Sequence, residues 1–311
     1  STDTAKHATP FVMNEMLKRW LSDLTRMQPF FLYAHYNEPH RPYHPPLPYL
    51  NRYTDDLEMT AHEAVERSME IHKNHHKIIT GGYTLSEADE MALTAMYDAE
   101  IAYTDEMIGR LFDHIQNLNI EDTIFIVTAD HGELFGEHGL LGHTLVLNDA
   151  ITNVPLVTHG FESLSISEND IVQHPDMMQT LITMADGKTE QMQGVDLRQK
   201  KRTYAISQQQ SGIRSNYKQA PEFDTSDFHE QMLTAFRSER FRYLWSEDRS
   251  ELFEIPDEYT NVIEKYPQIA EQFEISLTDW LSEEGQPISH GVEDNLTESM
   301  RRQLRDLGYV E

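Results

Sequence analysis

The stretch Thr123–His143, TIFIVTADHGELFGEHGLLGH, decides how the chain reads. It opens on an unbroken apolar run, Ile124 to Val127. It ends in Asp130-His131-Gly132 and a loop rich in glycine and histidine. A short apolar run bounded by turn residues predicts a strand covered on both faces, as in a parallel sheet. Ligands of open α/β sheets lie just beyond the carboxyl ends of the strands, which is where Asp130 and His131 fall. A carboxylate beside an imidazole at that place suits a metal ion or acid–base chemistry. The ordinary alternative is a helix N-cap aspartate followed by a loop histidine.

The flanks support α/β alternation. Ser86-Glu-Ala-Asp89 reads as a capping box. It opens a helix to about Leu118 whose apolar face runs through Met96, Tyr103, Met107, Leu111 and Ile115. Helix, short turn and strand then follow in order. Nearer the start, Thr9-Pro10 opens a helix to about Leu24. Phe30–Tyr36 (FFLYAHY) predicts a second buried strand. The proline-rich NEPHRPYHPPLPYL comes next, so His40 lies just past that strand, the counterpart of Asp130. His72, His75 and His76 read as a solvated helix face, because no carboxylate stands in a convincing register with them.

Downstream, Val154–Val157 predicts a short strand ending near His159. His174-Pro175-Asp176 opens a helix closed by Gly187. After about residue 200 the texture changes. RTYAIS reads as a strand, and MLTAFRS and FRYLW read as a hairpin turning at Glu239-Arg240. Acidic helices are expected at about 261–284 and 296–307. The expected division is an α/β unit over 1–200 and a small α+β unit with antiparallel strands over 201–311.

Composition narrows the function. The 311 residues carry 53 acidic and 25 basic side chains, a formal charge of −28. Only 9 of the basic residues are lysine. A dispersed acidic excess with little lysine resembles a surface adapted to high salt. It argues against nucleic acid or an anionic membrane surface as a partner. The absence of cysteine excludes disulfides, thiolate metal sites and a cysteine nucleophile within these residues. No apolar run approaches the ~18–20 residues of a membrane-spanning helix. No signal peptide opens the chain, so the cytoplasm is favoured, although the opening residues do not read as a natural N-terminus.

Four stretches together resemble the sulfatase family of the alkaline-phosphatase superfamily: PFFLYAHYNEPHRPY (29–43), YDAEIAYTDEMIGRLFDHI (97–115), Thr123–His143, and the hairpin ending in ELFEIPDEYTNV (251–262). The resemblance implies a partial alkaline-phosphatase-like fold: a parallel-rich sheet flanked by helices, plus a small C-terminal subdomain with antiparallel strands. It implies cleavage of sulfate monoesters on a small molecule or saccharide. It implies that Asp130 and His131 bind one divalent metal, Ca²⁺ first, with Mn²⁺ or Zn²⁺ suited to the imidazole. His40 would contact the sulfate or its leaving oxygen. His143 falls where many members place a sulfate-touching lysine, and His138 is a lesser candidate in the same loop. The family's formylglycine nucleophile arises within Cys/Ser-x-Pro-x-Arg, which is not found here. The sole Pro-x-Arg, Pro39-His40-Arg41, follows Asn37 two positions before the proline. The chain is therefore expected to be the C-terminal part of a sulfatase, inactive alone, with formylglycine upstream. The alternatives are a phosphonate or phosphate ester hydrolase of the same superfamily and a non-catalytic binding protein.

Overall fold

The computed structural model describes residues 9–24, 29–118, 120, 122–161, 163–190, 192–210, 213, 217–220, 223–226, 228–283, 285 and 298. The helix expected at 296–307 lies outside the described residues. Two compact units emerge. One holds 1–164, 206–235 and 244–250. The other holds 165–205, 236–243 and 251–311, so the chain passes between them more than once.

In the first unit, helix α1 (Thr9–Leu24) starts at the predicted Thr-Pro pair. After the proline-rich loop come α2 (Ala61–Lys73) and the short α3 (His75–Ile79). The long α4 (Glu87–Asn117) begins at the predicted capping box: Ser86 Oγ accepts from Asp89 N at 3.2 Å, and Asp89 Oδ2 accepts from Ser86 N at 2.9 Å. Ala92, Leu93, Ala95 and Met96 of α4 pack with Ala64, Val65 and Ile71 of α2 and with Tyr43 of the proline-rich loop. Further along, Leu111 and Ile115 enclose Leu21 of α1. The buried amide of Asn14 donates to the Met107 carbonyl at 2.6 Å, a polar tie between α1 and α4.

Strand β1 (Phe125–Thr128) ends at the residues singled out above. Hairpin β2 (Leu134–Phe135) and β3 (Leu141–Gly142) follows, then the short α5 (Asp149–Thr152) and β4 (Leu156–His159). Two expectations need correcting. β1 pairs antiparallel with β4, Phe125 opposite His159 and Thr128 opposite Leu156. Phe125 to Val127 are half-buried and Thr128 is exposed, with Phe112 of α4 packed edge-on against Phe125 at 5.1 Å. Phe30–Tyr36 runs extended but forms no strand ladder among the described residues. Leu32 packs on the Leu21–Leu111–Ile115 cluster, while Phe31 and Tyr33 on the alternate face are 66% and 73% exposed. An apolar run signals burial on both faces only where something stands on each side.

The second unit contains α6 (His174–Met184), whose Asp176 is wholly buried and receives Arg202 Nε at 2.7 Å and Val195 N at 2.9 Å. Strands β5 (Tyr204–Gln209), β6 (Leu233–Ser238), β7 (Phe241–Trp245) and β8 (Ser250–Glu254), whose residues are divided between the two units, form one small sheet in that order, with β6 and β7 turning at the predicted Glu239-Arg240. Within the unit, Phe273 of α7 (Pro267–Glu283) packs on Phe236 at 4.9 Å.

Ser86 caps the helix that organises the first unit. Replacing it with alanine should lower stability by about 1 kcal/mol in a urea titration, without loss of helix signal in the native baseline. An unchanged midpoint would contradict the cap.

Candidate active site

Helix α4 holds two separate loops against one another. Tyr97 packs edge-on against Tyr43 at 5.4 Å and tilted against Phe135 at 4.7 Å, and Tyr43 meets Phe135 at 5.9 Å. Each such aromatic pair contributes ~0.5–1.5 kcal/mol beyond its buried area. One turn further, buried Glu100 accepts the His44 backbone N–H at 2.9 Å, and Tyr103 packs on Tyr49 at 5.2 Å. The loop bearing His40 is thus fixed to the same helix as the hairpin that follows Asp130.

The result is a group of imidazoles. His131 and His143 stack at 4.0 Å between centroids, and His40 lies 5.8 Å from His143. The structure therefore brings together His40, His131 and His143, with Asp130 adjoining His131. Asp130 Oδ1 accepts from His131 N at 3.0 Å, and its Oδ2 is 3.8 Å from His131 Nε2. His138 stands on the exposed turn Glu137–Gly139 with φ +56°. His40, His131 and His143 form the cluster through the ring contacts given above.

Gly132 makes the turn after His131 possible. Its N–H donates to Ile151 O at 2.7 Å, and Glu133 N donates to Ala150 O at 3.1 Å. A Cβ at Gly132 would meet the Ala150 carbonyl oxygen at 2.0 Å. Gly142, at φ +94°, has a second reason to lack a side chain. A Cβ there would lie 3.2 Å from His75 Nε2 and 3.6 Å from both Arg41 Nη2 and Glu133 Oε1.

Sequence reasoning placed none of those three neighbours in the site. Glu133 is buried, and its Oε1 lies 3.4 Å from His143 Nδ1. Burial alone would push its pKa up. The bond from His143 and the positive charge of His143, Arg41 and His40 outweigh that and hold it below the usual carboxylate range. Burial lowers the His40 pKa, partly offset by Glu133 and by the Arg41 carbonyl. His75 is pushed down to about 3, by burial first and Arg41 second, so it is neutral and its Nε2–H donates to Leu141 O at 3.1 Å. The solvated-face reading of His75 is corrected accordingly: it is half-buried because α3 packs against the hairpin. The only sequence signals for this layer were the carboxylate directly after Asp-His-Gly and the histidine run at 72–76.

A sulfatase family profile matches residues 11–187, more than half of the chain. The chain belongs to the sulfatase family. It is 28% identical over 160 residues to "Uncharacterized sulfatase YidJ" of Escherichia coli, covering 51% of this chain and 32% of that one. It is 26% identical over 286 residues to "Arylsulfatase K" of Bos taurus, covering 80% and 50%. This sulfatase chain thus spans half or less of the length of these relatives. In fold it resembles the solved structure of BT4656 in complex with its substrate D-glucosamine-2-N,6-O-disulfate, at a TM-score of 0.62 and 16% identity over 91% of this chain and 72% of that one. It also resembles the phosphonate monoester hydrolase SpPMH from Silicibacter pomeroyi, at 0.60 and 18% over 85% and 60%. The fold is that of the alkaline-phosphatase-like sulfatases, with a small antiparallel sheet toward the C-terminus.

The family generally uses a divalent metal and a formylglycine. Asp130 and His131 place a carboxylate oxygen and an imidazole nitrogen, two donor types that a divalent metal accepts, 3.8 Å apart. His131 Nδ1–H donates to Gly132 O at 2.8 Å, so Nε2 keeps its lone pair beside the Asp130 carboxylate. Among the described residues, no group of three His, Asp or Glu side chains could close around a metal ion.

Gly132→Ala should cost about 1–3 kcal/mol in chemical denaturation, the penalty of forcing a methyl group against backbone. A midpoint matching the parent chain would overturn the close approach. Glu100 tests the electrostatics. Burial foremost, with Glu38 adding to it, pushes Glu100 from 4.5 up to about 7 against the opposing His44 N–H bond. The folded chain then holds its proton more tightly than the unfolded one. Stability tied to that proton is fully present below pH 4.5 and is lost as pH rises through about 7. Glu100→Gln escapes this loss, so its stability relative to the parent should rise across that window by roughly 3 kcal/mol at most. Parallel pH–stability profiles would contradict the shift.

Proposed function

We propose that the protein containing these residues hydrolyses sulfate monoesters, on a sulfated saccharide or an aryl group. Membership of the sulfatase family, with three imidazoles and an aspartate drawn together from two loops, carries the reading. Under this proposal the nucleophile and the remaining metal donors come from residues other than these 311, and the chain alone is inactive. Asp130 and His131 would hold the metal, Ca²⁺ before Mn²⁺ or Zn²⁺. The cation, when bound, would offset negative charge on the sulfate oxygens as the S–O bond breaks.

The chain's own residues do the rest. His40 Nδ1–H donates to the Arg41 carbonyl at 2.8 Å, which leaves Nε2 to accept or pass a proton. His143 would contact the sulfate or serve the leaving oxygen, with His138 a lesser candidate for the same loop's contribution. Arg41 adds a fixed positive charge behind them, felt by His40, His75 and Glu133. A surface with net charge −28 repels anions, so binding depends on this local positive charge. At about 1 M salt the Debye length is only about 3 Å, which screens the surface while contacts within the site persist.

The full-length protein, assayed in high salt, should turn over an aryl sulfate, and Asp130→Ala should lower kcat at least about 100-fold. Turnover of an aryl phosphate or phosphonate ester alone would replace this reading with the superfamily's other chemistry. Turnover of none of them would favour a binding protein.

A further inference from the structure

We infer that Glu133 is a positioning residue: its buried carboxylate fixes His143 as the Nδ1–H tautomer, so that Nε2 is the nitrogen free to meet an ester oxygen. The inference rests on the sulfatase reading above for its purpose, but not for its geometry.

Three site imidazoles share one arrangement. His40 Nδ1 faces the Arg41 carbonyl at 2.8 Å, and His131 Nδ1 faces the Gly132 carbonyl at 2.8 Å. A carbonyl can only accept, so each Nδ1 carries the proton and each Nε2 is bare. Among the described residues, His143 Nδ1 faces no such backbone carbonyl. Its Nδ1 faces Glu133 Oε1 instead, at 3.4 Å, the outer limit of a hydrogen bond. An ionised carboxylate is also acceptor-only, so the same tautomer follows. Nε2, joined to Nδ1 through Cε1, is the ring nitrogen left without that proton. The His143 ring stacks on His131 at 4.0 Å, and the His143 carbonyl accepts from Gln209 Nε2 at 3.3 Å.

The position of Glu133 is itself built. Its N–H is tied to Ala150 O at 3.1 Å, and its side chain is 5% exposed. His75, one neighbour over, is the internal contrast, since its Nε2 faces Leu141 O at 3.1 Å and it must be the opposite tautomer.

Long-range ¹H–¹⁵N spectra of the histidine rings in the 311-residue chain test this without any assay of turnover. His143→Asn identifies the His143 resonances. In the parent chain, recorded where the rings are neutral, His143, His40 and His131 should show the Nδ1–H pattern and His75 the Nε2–H pattern. In Glu133→Met the His143 signals should move to the Nε2–H pattern preferred by a free ring, while those of His40 and His75 stay in place. An Nε2–H pattern for His143 in the parent chain would overturn the inference, and this needs no variant to fold. A retained Nδ1–H pattern in a folded Glu133→Met chain would overturn it as well. Failure of the sulfatase reading leaves these spectra unchanged, so the two are judged separately.

Discussion

Tyr97 packs on both Tyr43 and Phe135, which also meet one another, and the candidate site depends on that three-ring cluster. Tyr43 belongs to the loop that carries His40, and Phe135 belongs to the hairpin that follows Asp130 and His131. Neither loop has regular structure enough to place itself. Both lean on one rigid helix through rings that lose water on contact, and the polar groups are aligned as a consequence. Glu100 adds a directional tie, from the helix to the His44 amide, that an aromatic contact alone would not supply. Chemistry-bearing loops fixed on a packed scaffold are the usual division of labour in enzymes.

Charge is arranged on two scales. The chain as a whole is strongly acidic, yet the cluster around His143 gathers Arg41, His40, His75 and His131 about a single buried carboxylate. Glu133 is held ionised by His143, Arg41 and His40, and Arg41 in turn helps depress His75. The outcome is a set of imidazoles whose nitrogen roles are fixed by acceptors: two backbone carbonyls, one side-chain carboxylate, and for His75 the Leu141 carbonyl. A close backbone approach at Gly132 makes this possible, because a methyl group there would meet the Ala150 carbonyl oxygen.

Much of this was legible in the sequence. The Ser86–Asp89 capping box, the Thr-Pro helix start and the Glu239-Arg240 hairpin all follow local rules, and local rules survive folding. The pairing of His40 with the Asp130 segment was legible through the position of each after an apolar run. Sheet partners were not, because the run Ile124–Val127 reports hydrophobic neighbours without saying whether they are parallel, antiparallel or helical. The exposure of Phe31 and Tyr33 escaped for the same reason. Glu133, Arg41 and His75 were missed because burial of a charged side chain depends on partners distant in sequence. His75 and Leu141 are separated by 66 positions.

The central claim is that two distant segments meet at one group of imidazoles. Nuclear Overhauser contacts between histidine rings in the 311-residue chain measure that directly. Contacts should join the His131 and His143 rings strongly and the His40 and His143 rings more weakly. Ring signals of His40 that show contacts only to their own loop, with none to His143, would contradict it.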